Sequence, residues 1–501
     1  MNPKKLKKNK KKAAPDSAAV TLRKHGDISY RQGNYTKAIH FYEQAFAIHP
    51  ADYELCNFLG VLHKLAGDCD KEKEYYKKAL QINPFHAGAN YNLGTCCRRE
   101  GNRTEAIRYL RRSVAADPQN SVCLNNLANL LVEEKKFDEA LALYDLLLGK
   151  DARSFNALLN KGFLFLEQGD LHRAIRFYER ALSVEPNNPK AAIYYAEAMF
   201  IEEGAEKNLA RLNTLLADTT LDNEHRIDVT VSKALCAWIT GDIPAYEQSL
   251  HFLRDKIFTT IFVANADYMK HRQAYYVFLE ALQPFAGEIA SPAEGPHPEI
   301  LHIVGDSHCL SPANRLVRFH DRRYLCRSHL IMGVKAWHLA QNGPNKFKLA
   351  FEKNLAALRP GSHVVFMIGE IDCRCDEGIF HHCRGKNADA QEIMRATADG
   401  YLDFVVTRAQ QKEIVPIIAG VPAPDKVKFA KLAAEDKRSY LETVRDYNLY
   451  LSGKTKEKGI LFLDVFRHTA NSELSANGRY HLDKLHLRPD FLEVALQACD
   501  G

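Results

Sequence analysis

Residues 87–120 read AGANYNLGTCCRREGNRTEAIRYLRRSVAADPQN. The eighth residue of this stretch, Gly94, belongs to a series that steps by 34: Gly26, Gly60, Gly94, Ala128 and Gly162, with Ala196 next in line. Pro118 belongs to a second series with the same step, Pro50, Pro84, Pro118 and Pro186, in which Ala152 fills the gap. A period of this length marks an array of helical hairpins. Working outward, residues 19–52, 53–86, 87–120, 121–154 and 155–188 form five such units. The small residue at the eighth position lets two helices approach, and Ala38, Ala106, Ala140 and Ala174 do the same at the twentieth. Tyr42, Tyr76, Tyr144 and Tyr178 fill the space between hairpins, and the prolines end each second helix.

This pattern resembles the tetratricopeptide repeat (TPR) family over about a third of the chain. The resemblance implies an α-solenoid whose groove holds a protein or peptide. Asn92, Asn126 and Asn160 repeat at the same step. Asparagine is a poor helix former, and its amide can both donate to and accept from a peptide backbone. These three are therefore candidate peptide-binding residues, arranged like the asparagine ladder of O-GlcNAc transferase. A degenerate sixth unit begins near Pro189 and carries the array to residue 204. Residues 205–286 keep a helical pattern without the period and are expected to cap the solenoid. The Pro-, Gly- and Ala-rich stretch 287–298 is the expected linker.

From Glu299 to the end, short apolar runs alternate with amphipathic stretches. Ile300–Val304, His363–Ile368, Ile414–Ala419 and Ile460–Leu463 are expected strands, with helices near 345–357, 391–411 and 434–455. This alternation predicts a doubly wound α/β domain over 299–501, which binds ligands beyond the carboxyl ends of its strands. The first strand runs into Gly305-Asp306-Ser307-His308, and near the far end lies Asp483-Lys-Leu-His486. A serine hydroxyl needs a base to act as a nucleophile. An Asp three residues before a His can orient that imidazole. The Gly-x-Ser-x-Gly elbow does not fit, because Cys309 stands where its last glycine would be.

A serine at the start and Asp-x-x-His near the end resemble the SGNH (GDSL-type) hydrolase superfamily, a three-layer α/β fold with a parallel sheet. The resemblance implies Ser307 as nucleophile, His486 as base and Asp483 as the residue orienting it. It implies an oxyanion hole from the backbone N–H groups of Ser307 and Gly333. Gly369-Glu370-Ile371-Asp372 corresponds to the family's Gly-x-Asn-Asp block. Ile371 departs from it, because an apolar residue replaces an oxyanion-hole donor worth about 100- to 1,000-fold in turnover. Asp306, His308, Glu370, Asp372 and Arg374 are candidate substrate-binding residues, with Arg374 or His308 a substitute donor. His481 is a rival base. The family often acts on acyl groups of carbohydrates or glycoconjugates, so serine esterase or acyltransferase chemistry is implied. A non-catalytic TPR scaffold with a degenerate SGNH domain is the alternative.

Cys373, Cys375, His381, His382 and Cys383 fit no standard spacing of zinc ligands and read as a buried loop over the site. No metal or cofactor is expected. Trp337 is expected in the core. The formal charge of +6 is misleading, because seven lysines between Lys4 and Lys12 leave 6 − 7 = −1 for the rest. Residues 1–18 are expected to be a disordered tail able to meet anionic surfaces. Such a neutral body does not suit a dedicated nucleic-acid domain. With no apolar run of about 20 residues, no apolar segment after the basic start, and 12 cysteines, a cytoplasmic protein without a transmembrane segment is expected.

Overall fold

The computed structural model describes residues 15–218, 221–257, 266–289, 298–384 and 389–499. The Lys-rich stretch and most of the expected linker lie outside these. The chain divides into two compact units, Met1–Leu164 and Phe165–Gly501.

In the first unit, helices pair in the order Pro15–Arg31 with Tyr35–Ile48, Tyr53–Leu65 with Cys69–Ile82, Ala87–Arg99 with Arg103–Ala116, and Ser121–Glu133 with Phe137–Lys150. The next helix is Phe155–Glu167. The turns have a chemical signature at the same step. Gly33, Gly67 and Gly101 take φ of 73°, 80° and 78°, a region that favours glycine. The next residue, Asn34, Asp68 or Asn102, caps the second helix through its side chain. In the fourth hairpin Lys135 takes that conformation at φ 57°, and Lys136 gives no side-chain cap. A Cβ on Gly26 would stand 2.8 Å from the Tyr42 ring, and one on Gly60 would overlap that of Tyr76. These tyrosines therefore cover the glycine of their own hairpin and also reach the next one, as the sequence suggested: Tyr42 meets the Phe58 ring with centroids 5.3 Å apart, and Tyr76 packs with Leu93 and Cys96.

In the second unit, helices Leu171–Val184, Pro189–Ala217, Asn223–Thr240, Ile243–Arg254 and Ala266–Leu282 precede the sheet. Pro189–Ala217 is interrupted at Gly204, whose φ is 81°. The strands are β1 (Glu299–Gly305), β2 (Leu316–Phe319), β3 (Arg322–Leu330), β4 (His363–Met367), β5 (Val415–Ala419) and β6 (Leu461–Leu463), in the order β2-β3-β1-β4-β5-β6. All neighbours are parallel except β2 and β3, a hairpin turning at His320 and Asp321 with φ 48° and 57°. Alternate strand residues face two cores, as buried parallel strands require. Val304, Val364, Phe366 and Ile418 meet Phe351, Tyr401 and Tyr447 on one face.

The other face departs from expectation. Leu301, Ile303, Val365 and Ile417 share one core with Ile193, Leu235, Trp238, Leu250, Phe278 and Leu282. The helices before the sheet form one of its covering layers, where the sequence suggested a cap on the solenoid. Polar bonds fix this layer. Trp238 Nε1–H donates to the Leu310 carbonyl at 2.7 Å, and the Asn314 amide donates to Trp238 and Ile239 carbonyls at 2.9 and 3.0 Å. Among the described residues, no helix is long and apolar enough to cross a membrane.

Candidate active site

Strand β1 ends at Gly305, where an added Cβ would overlap the Met367 carbonyl oxygen. Beyond it the chain enters a short 3-10 turn, Ser307–Leu310, which lifts Ser307 to the carboxyl edge of the sheet. β1 lies between β3 and β4; the chain turns to the β2–β3 side after β1 and crosses to β4 on the other side after β3, and this switch of direction opens a crevice at that edge. The loop carrying Asp483 and His486 folds over the turn. His308 Nε2 lies 2.9 Å from the Leu485 carbonyl oxygen, and the Ser311 hydroxyl donates to the Leu487 carbonyl at 2.8 Å.

Within this frame His486 Nε2 lies 2.8 Å from Ser307 Oγ, and His486 Nδ1 lies 2.8 Å from Asp483 Oδ2. The other Asp483 oxygen accepts the backbone N–H groups of Leu485 and His486, both at 2.7 Å. Burial alone would raise the Asp483 pKa, but His486 and these donors outweigh it and hold the carboxyl well below its usual range. The imidazole therefore donates from Nδ1 and leaves Nε2 to accept the serine proton. Burial chiefly lowers the His486 pKa, with Asp483 opposing, which keeps the ring neutral near pH 7. The Phe278 ring stacks on it with centroids 3.6 Å apart.

His308 has a different character. Its Nδ1 lies 3.0 Å from Asp306 Oδ1, and its other nitrogen faces the Leu485 carbonyl. Both neighbours accept only, so the ring satisfies both as an imidazolium. Burial opposes that charge, but Asp306 outweighs it and pushes the His308 pKa up to about 9. Asp306, His308 and Glu370 offer atoms within 4.8 Å of one another. Both His308 nitrogens already face acceptors within this group, Asp306 and the Leu485 carbonyl.

Ser307 and His486 open into a cavity of about 480 Å3 that Gly333, Ile371 and Arg374 also line. Gly333 takes φ of 69°. Glu370 and Asp372, expected at the substrate, act on neighbours. Glu370 accepts from Arg374 Nε at 2.8 Å and Nη2 at 2.7 Å, while Arg374 Nη1 meets Glu377 at 2.7 Å. The Asp372 carboxylate accepts the N–H groups of Ala336 and Trp337 at 2.6 and 3.0 Å. It thus anchors the start of helix Ala336–Ala340, just after Gly333, and burial raises its pKa to about 6. His481 turns away and meets the Ala423 carbonyl oxygen at 2.9 Å. His381 and His382 are exposed on helix Ile379–Cys383 instead of lying in a buried loop. Trp337 is 36% exposed, so it is not core.

The sequence missed the contribution of the helical layer. Helix Ala266–Leu282 brings Phe278 to His486, and Arg272 and Tyr275 to the cavity wall. Arg272 pairs with Asp228 at 2.5 Å and Glu197 at 3.0 Å. The spacing 272, 275, 278 places these side chains on one side of the helix, and that spacing was the available signal.

In the first unit, each candidate peptide-binding amide already donates to the repeat before it. Asn92 donates to Asn57 Oδ1 at 3.0 Å, Asn126 to the Tyr91 hydroxyl at 2.8 Å and Asn160 to Asn125 Oδ1 at 3.0 Å. All three are half-buried. The ladder links neighbouring repeats.

Tetratricopeptide repeat models match residues 23–87, 66–121, 98–161 and 155–188. No curated protein matches the chain. Among solved structures, a tetratricopeptide repeat protein from Parabacteroides merdae is 14% identical, with 52% of this chain and 99% of that one covered and a TM-score of 0.43. YrrB, described as a TPR protein with an unusual peptide-binding site, is 19% identical over 35% of this chain and 91% of its own, with a TM-score of 0.32. PilW, a type IV pilus biogenesis factor, is 18% identical over 42% of this chain and 97% of its own, with a TM-score of 0.37. Residues 23–188 of the chain are tetratricopeptide repeats, a protein-interaction module.

Proposed function

We propose that residues 299–499, with the helical layer behind them, carry a serine-dependent acyl-transfer site of SGNH type that acts as an esterase or acyltransferase. The observation that carries this reading is the hydrogen-bonded chain Ser307–His486–Asp483, with both links at 2.8 Å. In this mechanism Ser307 Oγ attacks the ester carbonyl carbon while His486 Nε2 takes the hydroxyl proton. The tetrahedral oxyanion is met by the backbone N–H groups of Ser307 and Gly333. Collapse breaks the bond to the leaving alkoxide, which receives the proton from His486 and leaves an acyl-serine. Water or an acceptor hydroxyl then repeats the sequence in reverse roles. Asp483 stabilises the imidazolium formed at each step.

An acyl ester of a carbohydrate or glycoconjugate is the substrate class brought by the family resemblance. The TPR repeats would recruit a protein or peptide partner. A second reading is a scaffold with an inert α/β module. It is favoured by Ile371 at the donor position and by the tetratricopeptide repeats, which are a protein-interaction module. A short chromogenic acetyl ester and a fluorophosphonate probe, applied to wild type and Ser307→Ala, separate the two. Turnover and labelling that vanish in the variant support the enzyme. A wild type with neither leaves the scaffold.

A further inference from the structure

The family's missing oxyanion-hole donor leaves a chemical vacancy at Ile371, which faces the cavity with an apolar side chain. The two side chains expected to substitute are already engaged. Every nitrogen of Arg374 is bound to a carboxylate, Nε and Nη2 to Glu370 and Nη1 to Glu377. Both ring nitrogens of His308 are bound as well.

Tyr275 differs from both. It lines the same cavity as Ser307, Gly333 and His486. It lies one helical turn from Phe278, whose ring is against His486, and one turn from Arg272, which is fixed by two carboxylates. Among the described residues, its hydroxyl has no hydrogen-bond partner. It is also not sealed in the core, unlike the hydroxyls of Tyr401 and Tyr447, which are buried without a partner. A neutral O–H held at a cavity wall is what an oxyanion hole needs. It donates to charge as the charge forms and requires no reorganisation when the reaction starts.

We propose that the Tyr275 hydroxyl is the third donor to the tetrahedral oxyanion, taking the part of the side chain lost at Ile371. This rests on the acyl-transfer reading above. Tyr275 forms and breaks no covalent bond; its proton stays on the phenol and is shared with the oxyanion. Burial raises the phenol pKa above its usual value, so the group remains a donor across the working pH range.

The test compares wild type, Tyr275→Phe and Tyr275→Phe with Ile371→Asn on a short chromogenic acetyl ester, with fluorophosphonate labelling of Ser307 in parallel. The expected result for Tyr275→Phe is a kcat lower by about 100- to 1,000-fold. KM should stay within about twofold, the melting temperature should be unchanged, and labelling should slow in proportion. Adding Asn at 371 should restore at least about tenfold of the loss. A Tyr275→Phe protein with wild-type kcat overturns the proposal. So does a fall in kcat that tracks a fall in melting temperature, or a folded double variant with no recovery. A wild type whose Ser307 takes no label removes the acyl-transfer reading and this role with it. A labelled wild type with an indifferent Tyr275→Phe removes the role alone.

Discussion

Raising the pH through about 9 discharges His308 and loosens the loop that carries Asp483 and His486. The ring is buried, and its two N–H groups point at a carboxylate and a carbonyl. Loss of one proton turns one of these contacts into two facing lone pairs. A charge-assisted hydrogen bond of this kind contributes about 1.5–3 kcal/mol. The pKa gives a similar figure. Its rise from 6.5 to about 9 corresponds to about 3 kcal/mol at about 1.4 kcal/mol per pH unit. Because the folded value lies above the unfolded one, this stabilisation is fully present below pH 6.5. It declines between 6.5 and 9 and is lost above 9. The charged or titratable groups around the ring include Asp306 on its own turn, Glu370 after β4, and His481 and His486 on the C-terminal loop. Urea unfolding of wild type and His308→Gln from pH 6 to 10 isolates the effect from other titrations. The difference in stability between the two should shrink by about 2–3 kcal/mol across that window. Nitrogen-15 spectra of labelled histidine should show both His308 nitrogens protonated at pH 7. A stability difference that stays flat with pH, or a single protonated nitrogen at pH 7, refutes the argument.

Asp483→Asn should cut turnover by about 10,000-fold with little change in melting, because the amide presents the wrong hydrogen-bond partner to His486 Nδ1; ester kinetics and thermal denaturation check it. Asp372→Ala should cost about 2 kcal/mol and slow fluorophosphonate labelling of Ser307, because it leaves the Ala336 and Trp337 N–H groups without their acceptor beside Gly333. Lys136→Asp should raise the stability of the repeats by about 1 kcal/mol by supplying the cap that the fourth hairpin lacks, read by urea unfolding. A fragment beginning at Glu299 should expose Leu301, Ile303 and Val317, bind a hydrophobic dye and lose cooperative melting, whereas one beginning at Phe165 should keep both core faces covered.

What the sequence made legible follows a physical division. The repeats could be read because each is a local unit: glycine, cap and tyrosine recur within 34 residues and satisfy each other there. Four of the strands could be read because buried parallel strands are continuous apolar runs. β2 and β3 escaped notice because Arg318, Arg322, Arg323 and Arg327 interrupt the apolar pattern, and β3 buries only alternate residues. Ser307, Asp483 and His486 could be proposed as partners from order alone, and the fold brings them together across 179 residues of chain. Asp372 and Glu370 were misjudged for the same reason that they matter. A carboxylate near a cavity looks like a substrate ligand until its backbone or guanidinium partner is known. The helical layer was misjudged because no local pattern shows which surface an amphipathic helix will cover.

That layer changes what the site is chemically. A serine–histidine pair at the edge of an open sheet would face water, where the imidazole keeps its ordinary pKa and a developing oxyanion gains little from fixed dipoles. Here Phe278 lies flat on His486, and Arg272, held by Glu197 and Asp228, closes part of the cavity wall. The ring excludes water from one face of the base. The arginine, held by two carboxylates, supplies a rigid polar wall. These residues precede the sheet in sequence and share its core, so the site and the fold of the second unit depend on the same packing of Trp238, Phe278 and Leu282 against β1. A substitution that loosens this packing should therefore lower stability and misplace the base together. A change confined to the cavity wall, such as Tyr275→Phe, should alter catalysis alone.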